Sequence, residues 1–168
     1  MVEHMSENLA YLNAIKSNNK IPHGELLTLF QNNYKSYRKS WYSQANDCFE
    51  KSSYGPDLLN QGYRPLCIDI ETAAICDLAC PFCYRESLAT PDKIINEQLF
   101  KSIVDQAAEM GVPSMKFNYR GEPLMHPKLP KMINYAKKKG ILETIINTNA
   151  THLTEETSKK LIGSGLDF

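Results

Sequence analysis

Three cysteines stand close together in the string Cys76-Asp77-Leu78-Ala79-Cys80-Pro81-Phe82-Cys83, at C-x3-C-x2-C spacing. Thiolates are soft ligands that select zinc or iron–sulfur clusters. One short loop at this spacing can aim three of them at a single centre. A four-iron cluster takes one cysteine per iron, so three ligands leave one iron with an open coordination position, as catalytic metal sites do. Zinc is the competing reading. It needs a fourth ligand, for which Cys67 and His126 are the candidates, and zinc motifs more often come as two separated C-x2-C pairs. The chain holds five cysteines, an odd number. In a reducing compartment such clustering points to metal rather than disulfides.

The elements around this string have to place it. Leu66, Ile68 and Ile70 alternate with Cys67, Asp69 and Glu71, a period-two strand leading straight into the cysteines. A helix is expected from about Asn96 to Met110, with Leu99, Ile103, Ala107 and Met110 on one face and Gly111 stopping it. Pro113 to Asn118 reads as a second strand. A loop with two prolines then leads to a helix carrying Leu129, Met132, Ile133 and Ala136 at i, i+3, i+4 and i+7. Gly140 ends that helix, Ile141 to Ile146 is a third strand, and Thr154 caps a further helix with Glu155 and Glu156 in its first turn. Leu166-Asp167-Phe168 reads as the start of a fourth strand. This alternation implies βαβ units, parallel strands and right-handed crossovers, an α/β fold. Functional loops of such folds sit at the carboxyl ends of the strands, which is where the cysteines fall.

Upstream, Leu9, Leu12 and Ile15 suggest a short helix capped by Ser6, and Glu25 to about Ala45 a longer one. Ser52 to Pro56 and Asn60 to Gly62 read as turns. Within the longer helix, Tyr34, Tyr37, Trp41 and Tyr42 interleave with Lys35, Arg38 and Lys39. Bases or phosphate could engage such a stretch, but its helical spacing favours an amphipathic helix packed on the α/β core.

Two further strings make the cysteine loop specific. Arg120-Gly121-Glu122-Pro123-Leu124 follows the second strand, and Asn147-Thr148-Asn149-Ala150 follows the third. The cysteine string, with Phe82 before its last cysteine, resembles the signature of radical S-adenosylmethionine (SAM) enzymes. The second string resembles that family's Gly-Gly-Glu-Pro segment and the third its Thr-Asn-Gly segment. The likeness covers roughly residues 64–168 and is nearest to members with a second cluster-binding (SPASM) domain.

The resemblance implies a partial (βα) TIM-like barrel of about three βα units plus the start of a fourth strand, with a helical N-terminal extension. It divides the chain into an extension and linker, 1–62, and the front of the core barrel, 63–168. It implies a 4Fe-4S cluster on Cys76, Cys80 and Cys83, and SAM held by Phe82, Tyr84, Gly121, Glu122, Pro123, Thr148 and Asn149. Reductive cleavage of SAM to a 5′-deoxyadenosyl radical would follow, with hydrogen abstraction from substrate, a peptide or protein by preference. A low-potential donor such as flavodoxin or ferredoxin is the implied partner. The family's later strands and second-cluster domain have no counterpart in these 168 residues, so the expectation is a truncated barrel, inactive alone; a complete open α/β domain is the alternative. Two departures stand out. Arg120 replaces the first glycine, and Ala150 replaces the last, where a positive φ is disfavoured for alanine.

Composition excludes little and agrees with this. Apolar residues make up 42% and charged residues 23%, ordinary globular usage. Lys+Arg and Asp+Glu are 19 each, giving no net charge to drive nucleic-acid binding. No run approaches the roughly 20 apolar residues of a membrane span, and the start lacks a signal-peptide core, so a cytoplasmic protein is expected. Two other function classes remain at this point: a noncatalytic α/β module with structural zinc, and a plain ligand-binding domain with reduced cysteines.

Overall fold

A computed structural model describes residues 23–51, 64–88 and 91–168. The first helix expected upstream, the turns at 52–56 and 60–62, and the linker end of the extension lie outside them. In chain order the elements are α1 (His23–Lys51), β1 (Cys67–Asp69), α2 (Glu97–Glu109), β2 (Ser114–Lys116), α3 (Leu129–Lys138), β3 (Glu143–Ile145) and α4 (Glu155–Ser164). The strands form one parallel sheet in the order β1-β2-β3. The tail starts to join it: Ile146 N–H donates to Phe168 O at 2.8 Å, and Phe168 N–H to Thr144 O at 3.2 Å.

The strands are shorter than the alternating runs suggest, because side chains take over the ladder at their carboxyl ends. One further backbone bond, Phe117 N–H to Ile145 O at 2.8 Å, continues β2 onto β3. Beyond it, Asn147 N–H donates to the Asn118 side chain at 2.7 Å and Thr72 Oγ1 to Phe117 O at 2.6 Å. These substitutions splay the strand ends and free the following loops to form a site. No helix among the described residues is long and apolar enough to cross a membrane.

The sheet has two faces of opposite character. Met115 and Phe117 are fully buried against α2 and α3, whose Phe100, Val104, Leu129, Met132, Ile133 and Ala136 complete the core. Burying each such side chain stabilises by about 1.5–3 kcal/mol. The α3 face is the expected one. The α2 face is the expected one in part: Ala107 is buried and Ile103 packs on the core, but Leu99 and Met110 are exposed and Phe100 and Val104 point inward instead. Two apolar stripes overlap on that helix, and the one carrying Phe100 wins because its ring packs at 5.9 Å from that of Phe117. Asn96 caps α2 through Gln98 N–H at 2.8 Å, and Thr154 caps α4 through Thr157 N–H at 3.1 Å. Gly111 and Gly140 end α2 and α3 in the left-handed region, at φ 69° and 95°.

The other face is polar, and α1 lies against its amino-terminal end. Cys67, Ser114 and Glu143 are register partners across the three strands. Tyr34 and Tyr37 of α1, both buried, donate to the Glu143 carboxylate at 3.2 and 2.6 Å, and Ser114 Oγ donates to it at 3.1 Å. The aromatic stretch is thus the packing helix expected, and α1 runs on to Lys51 because residues 46–51 contain no glycine or proline. Burial beside Glu143 pushes the Tyr34 phenol up to about 12, from 10.0. A raised pKa means stabilisation is complete below about pH 10 and fades as pH climbs toward 12. Tyr34→Phe should therefore remove the last-titrating component of the tyrosinate curve, read by ultraviolet absorbance against pH.

Candidate metal centre

The cysteine loop leaves β1 and is tied at each step. Ile70 N–H reaches Lys116 O at 2.7 Å, Ala74 N–H reaches Lys93 O at 2.8 Å, and Ile95 N–H reaches Thr72 O at 3.0 Å. Arg85, just past the last cysteine, donates through Nε to Ala74 O at 2.9 Å and pairs with Asp92. Cys83 N–H to Cys80 O, 2.9 Å, makes the tight turn between the second and third thiols.

Cys76, Cys80 and Cys83 are half-buried and line a cavity of about 230 Å³. Its other walls include Phe82, Arg120, Gly121, Glu122, Thr148 and Asn149, so the loops after β1, β2 and β3 meet there. Among the described residues, no three His, Cys, Asp or Glu side chains converge as a single ion would require. A zinc ion needs its ligands within about 2.0–2.3 Å of one point. An iron–sulfur cluster is held by Cys thiolates, and three thiols line this one cavity. The donor set fits the cluster.

Neither alternative zinc ligand joins the group. Cys67 sits at the other end of β1, with Ser114 Oγ 3.5 Å from its sulfur, and burial pushes its thiol up. His126 is buried; its Nδ1 accepts Lys128 N–H at 3.1 Å at the start of α3, and burial pushes its pKa down.

Gly121 lies flat on the cysteine loop. A Cβ there would stand 2.1 Å from Ala73 O and 2.6 Å from Ile75 O. Glu122 N–H donates to Ile75 O at 2.8 Å, joining the two loops through backbone. Glu122 is only 2% exposed. It accepts Thr148 Oγ1 at 2.7 Å, Asn149 N–H at 2.7 Å and Leu124 N–H at 2.9 Å. Thr148 thereby spends its hydroxyl on protein. Pro123 is buried behind Glu122, and Tyr84 is exposed beside Tyr119, whose hydrogen bond pushes the Tyr84 phenol up. Neither lines the cavity.

Two contacts were invisible in the sequence strings. Arg120, at the glycine-replacing position, makes a two-pronged pair with Glu71 at 2.9 and 2.6 Å, bracing the end of β1 against the β2 loop. Asp77, inside the cysteine string, accepts Asn149 Nδ2 at 2.9 Å and Thr151 Oγ1 at 2.6 Å, and these bonds hold its carboxyl below the usual carboxylate range. A polar residue between ligands was the available signal for it. Ala150 adopts φ 64° despite its Cβ. The left-handed region disfavours a non-glycine residue by roughly 1–2 kcal/mol, so Ala150→Gly should raise the urea midpoint, by up to about 1 kcal/mol of stability after glycine's entropy is discounted.

Parallel βα units whose strand-end loops gather three thiols round one cavity define a cluster-binding α/β protein. The Radical SAM superfamily model matches residues 70–168, and the chain belongs to that superfamily, whose resemblance carries the 4Fe-4S cluster and SAM with it. It is 33% identical over 102 residues to the tungsten-containing aldehyde ferredoxin oxidoreductase cofactor-modifying protein of Pyrococcus furiosus, covering 59% of this chain and 28% of that protein. It is 33% identical over 85 residues to PqqA peptide cyclase of Xanthomonas oryzae pv. oryzae, covering 50% and 23%. The chain thus spans about a quarter of the length of these relatives. The crystal structure of BtrN in complex with AdoMet and 2-DOIA superposes with a TM-score of 0.58 at 21% identity, over 62% of this chain and 44% of that one, a likeness of fold.

Proposed function

We propose that the chain works as a radical SAM enzyme, with Cys76, Cys80 and Cys83 as the ligands of its 4Fe-4S cluster. The observation that carries this is the meeting of those thiols with the loops after β2 and β3 round one cavity. Phe82, Gly121 and the backbone of Glu122 form the wall against which SAM is received, with Asn149 and Thr148 at the β3 end. Glu122 acts on this wall by fixing its loops, Pro123 by setting the turn behind it, and Tyr84 from outside the cavity. When bound, cluster and SAM supply a 5′-deoxyadenosyl radical that abstracts hydrogen from substrate, chemistry that belongs to the cofactors.

A peptide or protein is the proposed substrate class, supported by the similarity to a protein named as a peptide cyclase. A low-potential flavodoxin or ferredoxin is the proposed electron donor. Residues 1–62 serve as an extension to the 63–168 core, a reading supported by the bonds of Tyr34 and Tyr37 of α1 to Glu143.

Anaerobic reconstitution with iron and sulfide tests the central reading. The expected result is brown, cysteine-dependent absorption with about four iron per chain, perturbed by added SAM and lost in Cys80→Ala. A colourless protein holding one zinc would overturn it.

A further inference from the structure

We infer that Asn149 is a positioning residue that presents its side-chain N–H to the Cys76 sulfur and thereby sets how readily the cluster there accepts an electron. The inference rests on the reading of Cys76 as a cluster ligand. Asn149 Nδ2 stands 3.9 Å from Cys76 Sγ and 2.9 Å from Asp77 Oδ1. Its amide oxygen is held from the other side, accepting Thr151 N–H at 3.0 Å with Thr151 Oγ1 at 2.9 Å. The single hydroxyl proton of Thr151 is shared with Asp77 Oδ2, its nearer acceptor at 2.6 Å, and His152 Nε2 lies 3.4 Å from the same oxygen.

The result is a closed clasp between the cysteine loop and the β3–α4 loop, with one orientation for the Asn149 amide. Turning that amide over would set its oxygen against the Asp77 carboxylate and its NH2 against the Thr151 N–H. The donor is therefore directed at Cys76 by residues that do not touch the sulfur. Backbone adds a second anchor, because Asn149 N–H is bound by Glu122 at 2.7 Å.

An N–H donor on a cluster sulfur stabilises the more negative, reduced state, and a nearby carboxylate destabilises it; hydrogen bonds and net charge are established controls of cluster potential. Asn149 and Asp77 thus act in opposite directions from one clasp. The step they influence is the entry of one electron from an external reductant, with no bond made or broken.

The test is an optical redox titration of the reconstituted 168-residue chain, with dithionite and mediators and without SAM. Omitting SAM removes any effect that Asn149 would exert through that molecule. Asn149→Ala should lower the potential, reducing the reduced-to-oxidised ratio at fixed poise about tenfold, or ~59 mV for one electron. Asp77→Asn should raise it, since the shape is kept and the charge is lost. Thr151→Val should lower it by freeing the Asn149 amide. Should Asn149→Ala fail to load iron, the two other variants decide by the same readout. Potentials equal to wild type in iron-loaded variants would overturn the inference and leave the cluster reading intact. A wild-type chain that takes up no iron would overturn both.

Discussion

Gly121→Ala will strip the chain of its capacity to load iron and will lower its stability by about 2 kcal/mol or more, at the upper end of overpacking costs. The added methyl would meet Ala73 O at 2.1 Å, Ile75 O at 2.6 Å and Ala74 C at 2.8 Å. All three are backbone atoms, so no side-chain rotation relieves the contact. The β2 loop must lift from the cysteine loop, and the 2.8 Å bond from Glu122 N–H to Ile75 O goes with it. Since Cys76 follows Ile75 directly, the displacement reaches the first thiol. Gly163→Ala is the matched control: nothing lies within 4 Å of the Cβ it would add within α4. That variant should gain at most roughly 0.5–1 kcal/mol, the mid-helix benefit of alanine over glycine, because Gly163 lies in the last turn of α4. Thermal melts and iron counts on the two proteins check the pair. Equal melting and equal iron loading for Gly121→Ala and wild type would mean that the loops do not pack as described.

Glu122→Ala is the second large effect, expected to cost about 3 kcal/mol or more in urea unfolding. One carboxylate, almost wholly buried, accepts three hydrogen bonds that hold the β2 loop to itself and to the β3 loop. Truncation leaves Leu124 N–H, Asn149 N–H and the Thr148 hydroxyl to find new partners, and buried donors left unmade cost about 1–3 kcal/mol each. Thr148→Val removes one of the three bonds and should cost about 1 kcal/mol. The discriminating quantity is the difference between the two variants. If Glu122→Ala loses no more than Thr148→Val, the carboxylate does not organise the loops in solution. Glu122→Gln should fall between them, because its NH2 must face at least one N–H or hydroxyl donor where an oxygen stood.

Both predictions concern residues singled out in the sequence as contacts for SAM, and the structure gives them a further duty. Gly121 is required where two loop backbones touch. Glu122 commits its carboxylate to the β2 and β3 loops. The Gly-Glu-Pro string therefore reads as a joint between loops as much as a binding surface. Arg120 belongs to the same joint: its guanidinium is committed to Glu71, which holds it still more firmly protonated, so it is not a free cation for substrate.

Sequence alone determined what local rules govern. Thiol spacing needs no tertiary structure to suggest a cluster, because three soft ligands on eight residues have few other uses. Strand and helix alternation, the cap at Thr154, and the stops at Gly111 and Gly140 follow from periodicity and backbone preference within a few residues. Tertiary structure decided the rest, where partners lie far apart along the chain. The two tyrosines of α1 find Glu143 across 109 and 106 residues, Asp77 finds Asn149 across 72, and Arg120 finds Glu71 across 49. Which face of α2 is buried was only partly decided, since Ala107 and Ile103 lie where the helical period put them while Phe100 takes the inward place against Phe117 and Leu99 stays exposed. Polar pairing of this kind depends on strand register and loop approach, and a one-residue slip would bring different side chains together from the same sequence.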